Sequence, residues 1–142
     1  MKQGLFDDKD DSLTAREQLI MKSIWDYESE GDVPASYIQD VLRDKYGIPY
    51  ERSTIATFLL HLREKNYLDM YKKGAIYYYI PLINEKDYAN KASAKFAEFW
   101  FDGSAVELLN AFSEGNAKAF TPEKIKACKK ALDAINKNLN GV

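Results

Sequence analysis

Three segments of helical periodicity run directly into a pair of aromatic-rich strand segments, and that order limits the fold more than any other feature of the chain. Tyr67-Leu68-Asp69-Met70-Tyr71-Lys72 and Ala75-Ile76-Tyr77-Tyr78-Tyr79-Ile80 flank Lys73-Gly74 and read as a β-hairpin with a basic tip at Lys72 and Lys73, ended by Pro81. The first helix is expected to start at Thr14, where Thr14 and Glu17 make a capping box with Leu13 as its staple residue. Leu19, Ile20, Ile24 and Tyr27 recur at helical spacing beside Met21 and Trp25, and the stretch around Gly31 ends the helix. A second helix runs from Ala35 or Ser36 to Tyr46, with a capping box at Ser36 and Gln39, a stripe of Ile38, Val41, Leu42 and Tyr46, and a stop at Gly47 and Pro49. A third starts at Arg52 or Ser53, reaches about Asn66, and keeps Ile55, Phe58, Leu59 and Leu62 within one arc. Its opposite arc holds Ser53, Ala56, Thr57, Leu60, His61 and Glu64, short and polar near its start.

From Asn84 the composition changes. Asn84 caps a helix over residues 85–101 with Tyr88, Ala92, Phe96 and Phe99 on one stripe, and Asp102-Gly103 stops it. Ser104 and Glu107 cap a short helix carrying Val106, Leu108, Leu109 and Phe112; residues 113–120 read as a turn. Thr121 and Pro122 open a last helix to about Asn138, whose narrow apolar face is Ile125, Cys128, Leu132 and Ile135. The expected division is a disordered polar tail at 1–12, a first domain at 13–83 and a helical domain at 84–142. The fold class expected is mainly α with a small β-hairpin.

Composition narrows the function. The 142 residues are 46% hydrophobic and 30% charged, a globular balance. A single cysteine, Cys128, excludes a multi-thiolate metal site, and it reads as a small buried hydrophobe. A single histidine, His61, leaves a catalytic triad without support, and phosphate-cradling or metalloprotease motifs are absent from the sequence. No apolar run reaches the 18 or so residues of a membrane span, and the start of the chain is acidic where a signal peptide is basic and apolar. The expectation is a cytoplasmic protein that is not an enzyme, needs no cofactor or metal and does not insert in the membrane. The net charge of −2 masks a local excess: residues 52–74 carry five basic and two acidic side chains.

Three helices and a hairpin in about 70 residues follow the order of a winged helix-turn-helix domain, whose third helix enters the major groove while the hairpin lies along the backbone. Ser53, Thr54, Thr57 and His61 are then candidates for DNA contact, with Arg52, Arg63, Lys72 and Lys73 for phosphates. Hydroxyls at a helix start are also ordinary caps, so a winged-helix module that docks a protein and lacks specific DNA binding stays open. In the triple tyrosine, Tyr78 points to one face and its neighbours to the other, which is packing rather than a base-stacking platform. Tyr88, Phe96, Phe99, Trp100, Leu108, Leu109, Phe112, Ile125, Leu132 and Ile135 offer more apolar surface than thin helices can close alone; a homodimer would cover it, or the helices fold back on the first domain.

The sequence resembles the penicillinase-repressor (BlaI/MecI-type) family of winged-helix transcriptional repressors. The likeness is carried by L-T-A-R-E-Q-L-I-M-K-S-I-W (13–25), S-T-I-A-T-F-L-L-H-L-R-E-K-N-Y-L (53–68) and K-K-G-A-I-Y-Y-Y-I-P-L-I (72–83). It implies a homodimer with a helical dimerisation domain, bound to a dyad-symmetric operator in double-stranded DNA, at genes of antibiotic resistance or cell-envelope stress. It further implies relief of repression through a membrane sensor protease that leads to cleavage in the dimerisation domain. The chain departs from the family pattern at His61 (usually Arg), at Asn66 (usually Gly) and at Ala56 and Leu60, often polar or charged in relatives. The family's Asn-Phe cleavage bond corresponds to Ala111-Phe112, and the paired Cys-x-Cys of copper-responsive members is missing.

Overall fold

A computed structural model describes residues 12–27 and 30–141. The tail read as disordered therefore lies, but for Ser12, outside the described residues, as do the two that follow the first helix. The elements are α1 (Ala15–Tyr27), β1 (Val33–Pro34), α2 (Ala35–Asp44), α3 (Arg52–Glu64), β2 (Leu68–Lys73), β3 (Ile76–Pro81), α4 (Glu85–Phe101), α5 (Ala105–Gly115), a 3₁₀ turn at Ala117–Ala119, and α6 (Pro122–Asn140). They form two compact units that part between Lys95 and Phe96, within α4.

In the first unit the capping box at α1 is formed. Thr14 N–H donates to Glu17 Oε1 at 2.9 Å, and Glu17 N–H to Thr14 Oγ1 at 3.3 Å. One continuous core joins Ile20, Met21, Ile24 and Trp25 of α1 to Ile38 and Leu42 of α2, Ile55, Leu59 and Leu62 of α3, and Val33, Leu68 and Tyr79 of the sheet. The sheet has three antiparallel strands in the order β1-β3-β2, with Val33 opposite Tyr79 and Lys73 opposite Ile76. Only the hairpin was expected. Two residues, one of them proline, carry no periodicity, and Pro34 is admissible because β1 is an edge strand. This strand also displaces the expected capping box of α2. The helix starts directly after Pro34, Ser36 falls inside its first turn, and Gln39 Nε2 instead donates to the Tyr50 carbonyl at 3.2 Å across the α2–α3 turn.

Helix α3 closes with two reverse bonds, Tyr67 N–H to Leu62 O at 2.9 Å and Asn66 N–H to Arg63 O at 3.0 Å, with Asn66 at φ 66°. This is a Schellman motif with Asn where Gly is usual, and both Leu62 and Tyr67 are buried in the core. The hairpin turn is Gly74-Ala75, with a positive φ of 65° at Gly74, its first position.

In the second unit Ser104 and Thr121 cap α5 and α6 as expected, accepting from Glu107 N–H at 3.1 Å and Lys124 N–H at 3.3 Å. Helix α5 continues through 113–115, read from sequence as turn. Ser113 Oγ donates back to the Asn110 carbonyl at 2.8 Å, so this polar residue stays within the helix. None of the residues of α4, α5 or α6 is fully buried. Cys128, expected inside, is exposed, as are Ile125, Leu132 and Ile135 on the same stripe of α6.

Candidate nucleic-acid interface

Helix α3 buries Ile55, Leu59 and Leu62 and turns Ser53, Thr54, Ala56, Thr57, Leu60 and His61 outward, all exposed. The outward face has a short-chained, hydroxyl-bearing start. Ser53 does not cap the helix; Glu51 stands at the N-cap position without a side-chain bond, and Arg52 opens the first turn. Thr57 Oγ1 donates to the Ser53 carbonyl at 3.1 Å, which leaves its lone pairs and methyl for an outside partner.

A groove of about 460 Å³ separates α3 from the hairpin, lined among others by Ser36, Gln39, Arg52, Ala56, Ile76 and Tyr77. At the hairpin tip Lys72 and Lys73 are exposed, and Lys72 Nζ lies 5.3 Å from the Tyr77 ring centroid, a cation–π contact that leaves the ammonium accessible. The three tyrosines divide as the alternation requires. Tyr79 is in the core, Tyr77 shares its face beyond the core's edge, and Tyr78 stacks on Tyr71 at 5.5 Å on the other face. The Tyr71 hydroxyl donates to Asp32, and that carboxylate pushes the phenol's pKa up.

Arg63 differs from the other basic candidates. It is half-buried, and its charge partly offsets the rise that burial imposes on the Tyr79 pKa. Lys65, at the C-cap of α3, ties that helix to α1. Its Nζ donates to the buried Glu17 Oε1 at 2.7 Å. Burial raises the Glu17 pKa, but Lys65 and Thr14 outweigh this and hold the carboxyl below its ordinary value of 4.5. A 48-residue separation hides the pair from any reading of local pattern.

In the second unit Phe96, Phe99, Trp100, Leu109, Phe112, Ile125, Leu132 and Ile135 are exposed, while Leu108 and Ala111 are half-buried. Tyr88, grouped with them from sequence, packs instead in the first unit against Trp25 and Tyr67. Among the described residues no cluster of His, Cys, Asp or Glu could hold a metal ion, and no helix is long and apolar enough to cross a membrane.

The order α1-β1-α2-α3-β2-β3, with a polar outward α3 and a basic hairpin tip, defines the winged-helix class of transcription regulator. The model of the penicillinase repressor family matches residues 13–134, and the chain belongs to that family of transcription regulators. It is 29% identical over 97 residues to the penicillinase repressor of Bacillus licheniformis, spanning 68% of this chain and 72% of that one. Among solved structures, that of an hsRosR-S4 complex aligns with a TM-score of 0.48 at 18% identity, over 84% of this chain and 98% of the other.

Proposed function

We propose that the protein represses transcription as a homodimer on a dyad-symmetric operator in double-stranded DNA, with no catalytic activity and no required cofactor. The observation that carries this reading is the outward face of α3: Ser53, Thr54, Thr57 and His61 stand exposed on a helix whose other side is locked in the core. Short polar groups on a rigid helix reach base edges at little entropic cost. Arg52, Lys72 and Lys73 neutralise phosphates on either side of the groove, and Arg63 contributes at its margin. The exposed apolar residues of α4, α5 and α6 meet their counterparts in a second copy, so that two winged domains are presented together. The relative's name points to resistance genes of the penicillinase kind as targets.

Relief of repression through a membrane sensor protease is the route that the family resemblance suggests. The bond at Ala111-Phe112 lies within α5, so its cleavage would require that helix to open locally.

Fluorescence anisotropy with the DNA upstream of the protein's own gene, random duplex as competitor and several salt concentrations tests the function. Competitor-resistant binding with a steep log–log salt slope is expected. Weak binding, equal on random DNA and nearly flat in salt, would replace this reading with the protein-docking module.

A further inference from the structure

Leu60 is the large apolar side chain that α3 turns outward. It is 48% exposed, whereas Ile55, Leu59 and Leu62 are buried. Phe58 is half-buried against the core, its ring 5.6 Å from that of Tyr50. At about 100° per residue, Leu60 comes within about 20° of Ser53 around the helix axis, so it stands in the middle of the outward arc, not at its edge. Ala56, one turn earlier, is exposed and lines the groove toward the hairpin. Thr57 and His61, also exposed, flank Leu60 on the other side.

An exposed leucine needs no explanation on an ordinary surface. This one shares its face with Arg52, and the face lies across the groove from the hairpin that carries Lys72 and Lys73. Positive charge of that kind draws phosphates, and a duplex held there sets the middle of α3 against base edges. A polar side chain at that place exchanges water for a base at little loss; a leucine gains only where it meets apolar surface. The major groove offers one such surface, the C5 methyl group of thymine. Against the amino and carbonyl groups of the other bases, the leucine would strip water and give no hydrogen bond in return.

We propose that Leu60, with Ala56 beside it, selects thymine through its C5 methyl group, so that the preferred site carries thymine opposite the middle of α3. The inference rests on the DNA-binding reading above and deepens it by naming a base and the side chain that reads it. It needs only the first unit and one half-site. Ser53, Thr57 and His61 around Leu60 keep their hydrogen-bonding roles, and the apolar pair adds discrimination that hydrogen bonds do not supply.

The test uses the full chain and a duplex that it selects from a random library. Each thymine of that duplex is replaced in turn by deoxyuridine, which keeps the pairing and the O4 acceptor and removes only the methyl group. Affinity is read by fluorescence anisotropy at one salt concentration. For the wild type, replacement of at least one thymine should cost about fourfold, the equivalent of one buried methyl group. In Leu60→Ala the same replacement should cost less than about 1.5-fold, while the other thymines keep their wild-type effects. Leu60→Met retains the apolar reach and should retain the sensitivity. Circular dichroism checks that both variants are folded, as an exposed position allows. A wild type indifferent to every replacement overturns the proposal. So does a sensitivity that survives in Leu60→Ala, which would assign the methyl contact to another side chain such as Thr57. If selection enriches no sequence at all, the DNA-binding reading itself fails and takes this inference with it.

Discussion

Thr57 sits one turn after Ser53 on the outward face of α3 and has already spent its hydroxyl proton on the Ser53 carbonyl. In the proposed complex it offers DNA an acceptor and a methyl group, both of which discriminate between bases. Thr57→Ala should therefore cost about 1 kcal/mol on the operator and little on random duplex, measured by competition anisotropy. The double change Lys72→Ala and Lys73→Ala should weaken both DNAs alike and flatten the salt slope by up to about 2, since phosphates carry no sequence. Equal, small losses from the two variants would contradict this division of labour. Glu17 is legible as half of a capping box, but its ion pair with Lys65 is not. With its pKa lowered on folding, the ionised form stabilises the fold above pH 4.5, and this contribution disappears as the carboxylate takes up its proton at lower pH. Glu17→Gln retains the cap and loses the charge. The stability gap between wild type and Glu17→Gln should be constant above that pH and shrink in more acid solution, as urea titrations at a series of pH values would show.

At the scale of elements, local chemistry wrote the helix ends where side chain and backbone are neighbours. Thr14, Asn84, Ser104 and Thr121 all cap as their spacing predicts. Ser36 does not, because β1 pairs with β3 from far along the chain and moves the helix start ahead of it. Asn66 closes α3 in the left-handed region, where a Cβ is costly and only glycine, asparagine and aspartate are at ease. Asn66→Ala should destabilise the protein by about 1 kcal/mol in urea unfolding, and Asn66→Gly should not. A loss in Asn66→Gly as large as in Asn66→Ala would mean that the asparagine side chain, not the backbone, is what matters there.

For the whole molecule, the contrast between the units is the main fact. The first has a closed core; in the second Phe112 is 51% and Leu132 56% exposed, on helices without one fully buried residue. Surface of this kind is what the dimer proposed above would cover. Phe112→Asp with Leu132→Asp should shift sedimentation from dimer to monomer and reduce operator affinity by about 100-fold, through lost avidity and with half-site binding intact. A variant that stays dimeric and tight would show that these residues do not form the interface.

Periodicity and near neighbours along the chain made legible the helix faces, most of the caps, the hairpin, the outward arc of α3 and the basic tip, as well as the family resemblance. Such features follow from periodicity and from side chains that reach only a few residues. Long-range packing set the rest: the short strand β1, the Glu17–Lys65 pair, and the placement of Tyr88 against Trp25 in the first unit. Each joins segments far apart in the chain, where burial and geometry in three dimensions, not local spacing, select the partner.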